Sequence, residues 1–159
     1  MAGIMTNGGA PGPRITAEQV SEEAARLPIS EVARFLKQHL GQRLTAYMSG
    51  VNDPKMVSHW IARHNTPRDQ PQLRMREGYQ ATQLLVSAYG DETAKAWFFG
   101  SNTALDDRAP AYVLRHARSW EELRFVVPAA RAFAGSASLD GHRAGPTVKA
   151  HLASIWRAP

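Results

Sequence analysis

A chain of 159 residues, 43% hydrophobic and 21% charged, has enough apolar side chain to bury a core and too little charge to be disordered throughout. It contains no cysteine, which excludes disulfides and thiolate metal sites, and no apolar run approaches the roughly 20 residues that a transmembrane helix needs. The net charge of +5 is concentrated: from Gln42 to Arg76, six basic residues (Arg43, Lys55, Arg63, Arg68, Arg74, Arg76) stand against Asp53 and Asp69, a balance of +4. Such a stretch is either a solvated face or the footprint of a polyanion.

Residues 1–14 begin with a Gly-, Pro- and Asn-containing run that lacks the apolar centre of a signal peptide, so they read as a flexible arm of a cytoplasmic protein. Ile15 to Leu27 carries a helical pattern with Thr16 as N-cap, ended by Pro28. Ser30 is then placed to cap a helix from Glu31 to Leu40, with Val32, Phe35, Leu36 and Leu40 at helical spacing, and Gly41 ends it. Gln42 to Ser49 forms a short helix with Leu44, Tyr47 and Met48 inward. After a turn at Gly50–Asn52, Asp53 is the expected N-cap and Pro54 the first residue of a helix reaching about Arg63. His64 to Gln72, with two prolines, reads as a loop and as the boundary between two halves. Leu73 to Tyr89 is a long helix, Glu92 to Phe99 another, and Pro110 opens a third to His116. Ser119 caps a further helix to about Phe133. Gly135 to Gly145 reads as flexible, and Pro146 to Trp156 as a last amphipathic helix. No segment alternates with period two, so no sheet is expected. The fold class is therefore all-α: a compact helical bundle, with residues 15–70 forming one region, 73–134 a second, and 135–159 a tail with a short helix.

Two short helices joined by a tight turn inside a basic stretch are the pattern of a helix-turn-helix. Ala46 lies where the two helices cross, Gly50 supplies a positive φ at the turn, and Val51 plugs the core. Val57 and Ile61 hold the second helix, which leaves Lys55, Ser58, His59, Ala62 and Arg63 on the outer face. A helix presented this way enters the major groove. Asn52, Lys55, Ser58 and His59 are the candidates for contacts at or near bases; Arg43, Arg63 and Arg68 are the candidates for phosphate. The turn Val51–Pro54 is one residue longer than the commonest form. The alternative is a helix pair in an ordinary bundle. His59 and His64, five apart, are not at the spacing that puts two metal ligands together on a helix.

The run Ala96-Trp97-Phe98-Phe99-Gly100-Ser101-Asn102-Thr103-Ala104-Leu105-Asp106-Asp107-Arg108-Ala109-Pro110 resembles the toxin-binding domain of the Xre/MbcA/ParS antitoxins. There an aromatic helix end is followed by a Pro-Asn or similar step, a leucine, a small or acidic pair, an arginine and a helix-opening proline. Asn102, Leu105, Arg108 and Pro110 match, and Asp106-Asp107 stands where Gly-Gly is often found. With the upstream helices, the resemblance covers about residues 40–133. It implies an antitoxin that neutralises an NAD-consuming RES-type toxin and represses its own operon by binding operator DNA. Asn102, Leu105, Asp107 and Arg108 would then meet the toxin. Such antitoxins block the toxin's NAD pocket, often with a C-terminal segment; here the tail helix, with Lys149, His151, Trp156 and Arg157, would meet the toxin, the alternatives being that it docks on its own bundle or mediates a dimer. The same four loop residues also serve as ordinary turn and helix-start residues. DNA binding is expected to use a homodimer, and the toxin complex a hetero-oligomer. No phosphate loop, zinc motif or nucleophile elbow is present, so the chain reads as a non-enzyme needing no metal or cofactor. Two other readings remain: a stand-alone helix-turn-helix regulator whose second half dimerises or senses an effector, and an interaction protein without DNA binding.

Overall fold

The structure, a computed structural model, describes residues 15–139 and is all-α among them. Helices run over Ala17–Arg26 (α1), Ile29–Leu40 (α2), Gln42–Ser49 (α3), Lys55–Ile61 (α4), Asp69–Tyr89 (α5), Asp91–Phe99 (α6), Pro110–His116 (α7), Trp120–Leu123 (α8) and Val126–Leu139 (α9), with a 3-10 turn at Thr103–Leu105. Thr16 caps α1 in a reciprocal box with Gln19, each side chain meeting the other's backbone N–H. In α2 the cap position falls to Pro28, and Ser30 is buried inside the first turn instead of capping it. Pro fits there because the first helical N–H groups have no partner to lose.

The long helix α5 begins four residues earlier than expected, at Asp69 rather than Leu73. Pro71 is accommodated because it is the third helical residue, where an amide N–H would have no carbonyl to reach. The second departure is at residues 119–139. The expected single helix is split at Arg124–Phe125 into α8 and α9. Pro128 accounts for the restart: in an unbroken helix its ring would meet the carbonyl of Arg124, whereas as the third residue of α9 it clashes with nothing. Helix α9 then continues through Gly135 to Leu139, so the flexible stretch expected from Gly135 is helical to residue 139. A single glycine costs a helix about 1 kcal/mol against alanine, too little to stop one that is packed.

Helix α5 is the central column, packing against α1, α2, α3, α6, α7 and α9. The largest wholly buried side chains, Leu36, Met48, Met75, Leu85, Phe98, Leu114 and Leu123, come from both sides of the expected boundary at 64–72. They belong to one continuous core that also holds Val57 and Trp60 of α4. Gly78 marks the closest approach: a Cβ there would run into the terminal methyl of Met48, with Leu114 just beyond, so α5 meets α3 and α7 at a point with no side chain.

The buried polar groups are mostly answered locally. Thr45, Ser49 and Thr82 each donate their hydroxyl to the carbonyl four residues back, at 2.8, 2.6 and 2.7 Å. The indole N–H of Trp97 is buried without a hydrogen-bond partner among the described residues. Glu77 is a buried carboxyl that accepts from the Gln80 amide at 3.3 Å, and burial pushes its pKa from 4.5 up to about 7. Tyr79 is raised to about 12, by burial first and then by the Glu23 carboxylate, which also takes its hydroxyl.

Candidate nucleic-acid interface and partner loop

Helix α3 ends at Gly50, whose φ of 91° and ψ of 13° turn the chain left-handed while its N–H reaches back to the carbonyls of Ala46 and Tyr47. Val51 N–H also donates to Ala46 O, and its half-buried side chain packs on the core. The Gln42 side chain donates to Pro54 O at 2.7 Å, tying the start of α3 to the start of α4. Asp53 accepts from the Lys55 N–H at 2.9 Å, but Pro54 is the residue at the cap, so α4 begins one residue later than expected.

In α4, Val57 and Trp60 are buried and Met56 and Ile61 half-buried, which fixes the inner face. Lys55 and His59 are exposed and Ser58 is half-exposed on the outer one. Arg63 is exposed too, but it lies past the helix in a left-handed conformation, φ 60°, and not on the helix face. That reversal brings the His64 ring edge-on to His59, with centroids 6.0 Å apart, a neighbourhood that five-residue spacing on a straight helix does not give. Among the described residues, no group of three His, Asp or Glu gathers as a metal site would. Arg43 is exposed at the second position of α3, and Arg68 at the cap of α5.

Two of the six basic residues that made the 42–76 stretch positive are structural. Arg76 on α5 donates to the carbonyls of Ala24 and Leu27, the open end of α1. Arg74, two residues earlier and so on the other side of α5, donates to Ser49 O at 3.3 Å and Ala117 O at 2.9 Å, the ends of α3 and α7. Burial, and then the Arg115 cation beside it, hold the Arg74 pKa below its ordinary value. Helix C-termini leave carbonyls without partners and carry partial negative charge, so a guanidinium there satisfies both needs. The outward positive charge of the stretch is therefore Arg43, Lys55, Arg63 and Arg68.

Arg115 does the same from α7. Its Nη1 donates to Tyr47 O at 2.9 Å and Val51 O at 3.3 Å, and its Nη2 to the Asn52 side-chain oxygen at 2.7 Å. Its guanidinium lies over the Tyr47 ring, 4.8 Å from the centroid. Tyr47, expected inward, is for this reason on the surface. Neither arginine was legible as part of the site. Each partner lies dozens of residues away, and the one signal available is that Arg115 falls in the last turn of α7.

The second candidate region follows α6. Asn102 Oδ1 accepts from Ala104 N–H at 2.9 Å, and Asn102 forms an isolated antiparallel bridge with Arg108. Between them, Asp106 and Asp107 both take left-handed φ, 55° and 60°. Ser101 donates its hydroxyl to Asp107 O, and Arg108 Nε donates to Leu105 O at 3.0 Å. Leu105 is buried, 3% exposed, so it anchors the loop to the core and is not available to a partner as expected. Asn102 is half-buried and engaged in the turn; Asp106, Asp107 and Arg108 are exposed, as is Phe99 at the end of α6. Lys149, His151, Trp156 and Arg157 lie outside the described residues.

Compared with known proteins, the chain matches no family model, no curated protein and no solved structure.

Proposed function

We propose that the chain is a DNA-binding antitoxin: α4 reads duplex DNA as the second member of a helix-turn-helix, and the loop 100–109 holds a protein partner, a RES-type toxin. The observation that carries the nucleic-acid half is the division of α4. Its inner face is fixed by Val57 and Trp60, and its outer face carries Lys55, Ser58 and His59, with no acid from Lys55 to His64. A rigidly seated helix with a cationic, acid-free outer face suits the major groove, and Arg43, Arg63 and Arg68 supply phosphate contacts around it. A seven-residue helix touches few bases, so two copies bind two half-sites.

The partner half is supported by the resemblance in the loop and by its backbone. Successive left-handed residues at 106 and 107 are the conformation for which Gly-Gly is suited, and Gly-Gly is often found there in the antitoxins the loop resembles. Exposed Asp107 and Arg108 are its contact residues. The rival reading, a stand-alone regulator, draws on the continuous core, because a second half so joined to the first serves equally as scaffold.

The test has two arms. Selection from a random duplex pool by the purified chain is expected to enrich one sequence, bound at least a thousandfold more tightly than random DNA, with affinity falling steeply with salt. Co-expression with a RES-type protein encoded beside it is expected to restore growth and cellular NAD and to give a co-purifying complex. Enrichment without rescue leaves the stand-alone regulator; rescue without enrichment leaves a partner-binding protein that does not read DNA.

A further inference from the structure

We propose that Arg115 is a specificity-determining positioning residue: it turns the Asn52 amide so that only its N–H donors face the groove, and Asn52 thereby selects a base edge that carries acceptors. This rests on the reading of α4 as a groove helix.

A guanidinium has five donors and no acceptor. An asparagine side chain can therefore meet Arg115 only through Oδ1, and the 2.7 Å contact fixes which end of the amide points away. The fork is not free to let go. Its other nitrogen is held by the main-chain oxygens of Tyr47 and Val51, on either side of Gly50, and its plane rests on Tyr47. Five residues of α3 and the turn, from Tyr47 to Val51, are thus spanned by one side chain from α7. Asn52 is exposed and stands three residues before Lys55, at the entry to α4.

The usual asparagine contact, bidentate to adenine, needs Oδ1 to accept from the adenine amino group. Here one lone pair of Oδ1 is taken and the amide is held with Nδ2 outward, an arrangement matched better by guanine, whose N7 and O6 both accept, or by thymine O4 than by adenine, whose N7 stands beside an amino donor. Arg115 itself touches no base; it acts through Asn52.

The experiment repeats the random-duplex selection with wild type, Asn52→Ala, Arg115→Met and Arg115→Lys. For wild type, one position of the enriched site is expected to be guanine or thymine and to lose its preference in Asn52→Ala. Arg115→Met is expected to relax that same position, with discrimination falling roughly tenfold to a hundredfold, the range set by a single base contact. The other positions, the affinity for random DNA and the slope of affinity against salt should hold. Arg115→Lys keeps the charge without the fork and is expected to relax the position partly; it also supplies the comparison if Arg115→Met does not fold, as judged by circular dichroism. The proposal is overturned if Arg115→Met and Arg115→Lys leave the Asn52-dependent position intact, if preference weakens evenly across the whole site as a merely structural role would dictate, or if the salt slope falls by about one, which marks a direct phosphate contact. An adenine at the Asn52 position overturns it as well. If wild type enriches nothing, the groove reading itself fails, an outcome distinct from all of these.

Discussion

Replacing Gly50 by alanine tests whether the turn and the Arg74 clamp are one device. Two costs are expected. The first is conformational: a side chain at φ 91° is strained by about 1–2 kcal/mol. The second is spatial: the new methyl falls on the Arg74 guanidinium, which must swing away from Ser49 O and Ala117 O. A hydrogen bond to a charged group contributes about 1.5–3 kcal/mol, and the 3.3 Å bond belongs at or below the low end of that range. The expected total is about 3–5 kcal/mol. In an Arg74→Ala background only the first cost remains. Urea unfolding of wild type, the two single variants and the double variant therefore gives a coupling of at least about 1.5 kcal/mol, well outside the ~0.5 kcal/mol within which independent sites add. Gly50→Asn sharpens the test, because asparagine tolerates left-handed φ but still brings a Cβ. It should be nearly as harmful as alanine in the wild-type background and much milder beside Arg74→Ala. Equal cost of Gly50→Ala in both backgrounds refutes the reasoning and reduces Gly50 to a turn residue.

Other outcomes follow from the same geometry. Because burial raises the Glu77 pKa from 4.5 to about 7, the folded state holds its proton more tightly than the unfolded one. That contribution to stability is complete below about pH 4.5 and is lost as the pH rises through about 7. Glu77→Gln should leave the urea midpoint near its wild-type value at about pH 4 and raise it at about pH 8; parallel pH curves for the two proteins would contradict this. Arg43→Ala and Arg63→Ala should each weaken binding to all duplexes alike and lower the salt slope by about one, whereas Lys55→Ala and His59→Ala should change sequence preference, read in the same titrations. Arg108→Ala, which loses an exposed ion pair and a bond to Leu105 O, should lower the melting temperature by about 5–10 °C and leave the protein folded, but abolish co-purification with a RES-type partner. Retained co-purification would remove the loop from the partner site.

Much of this fold was readable because most helices announce themselves twice, by apolar spacing and by what stops them. Val32, Leu36 and Leu40 share one buried face of α2, Gly41 and Gly50 end α2 and α3, and Pro110 opens α7, all as expected. The misreadings of Arg74, Arg76, Tyr47 and Leu105 have a common origin, since the role of each side chain is set by partners distant in sequence. Arg74 and Arg76 counted as surface charge because nothing near them reveals that they serve Ser49, Ala117, Ala24 and Leu27. Tyr47 has the spacing of a core residue and faces out because Arg115 covers it. Leu105 sits in a polar loop and faces in because the core reaches it. Lys55 and His59 are exposed on the outer face of α4 as expected, because burial of Val57 and Trp60 leaves them nowhere else to go; Arg63, expected on that face, lies past the helix end, and the support behind the face was not legible.

Arg115 gives the chain an order of completion. During synthesis α1 to α4 leave the ribosome first, yet the carbonyls at the end of α3 wait for Arg74 and then for Arg115, 64 residues after Val51. A nascent or truncated product ending before α7 has α4 in its sequence but lacks the fork that holds the turn before it. On the proposed reading of α4, half-made copies would not compete with finished ones for DNA, and any event that pulls α7 away from α3 would loosen the turn before α4 from behind.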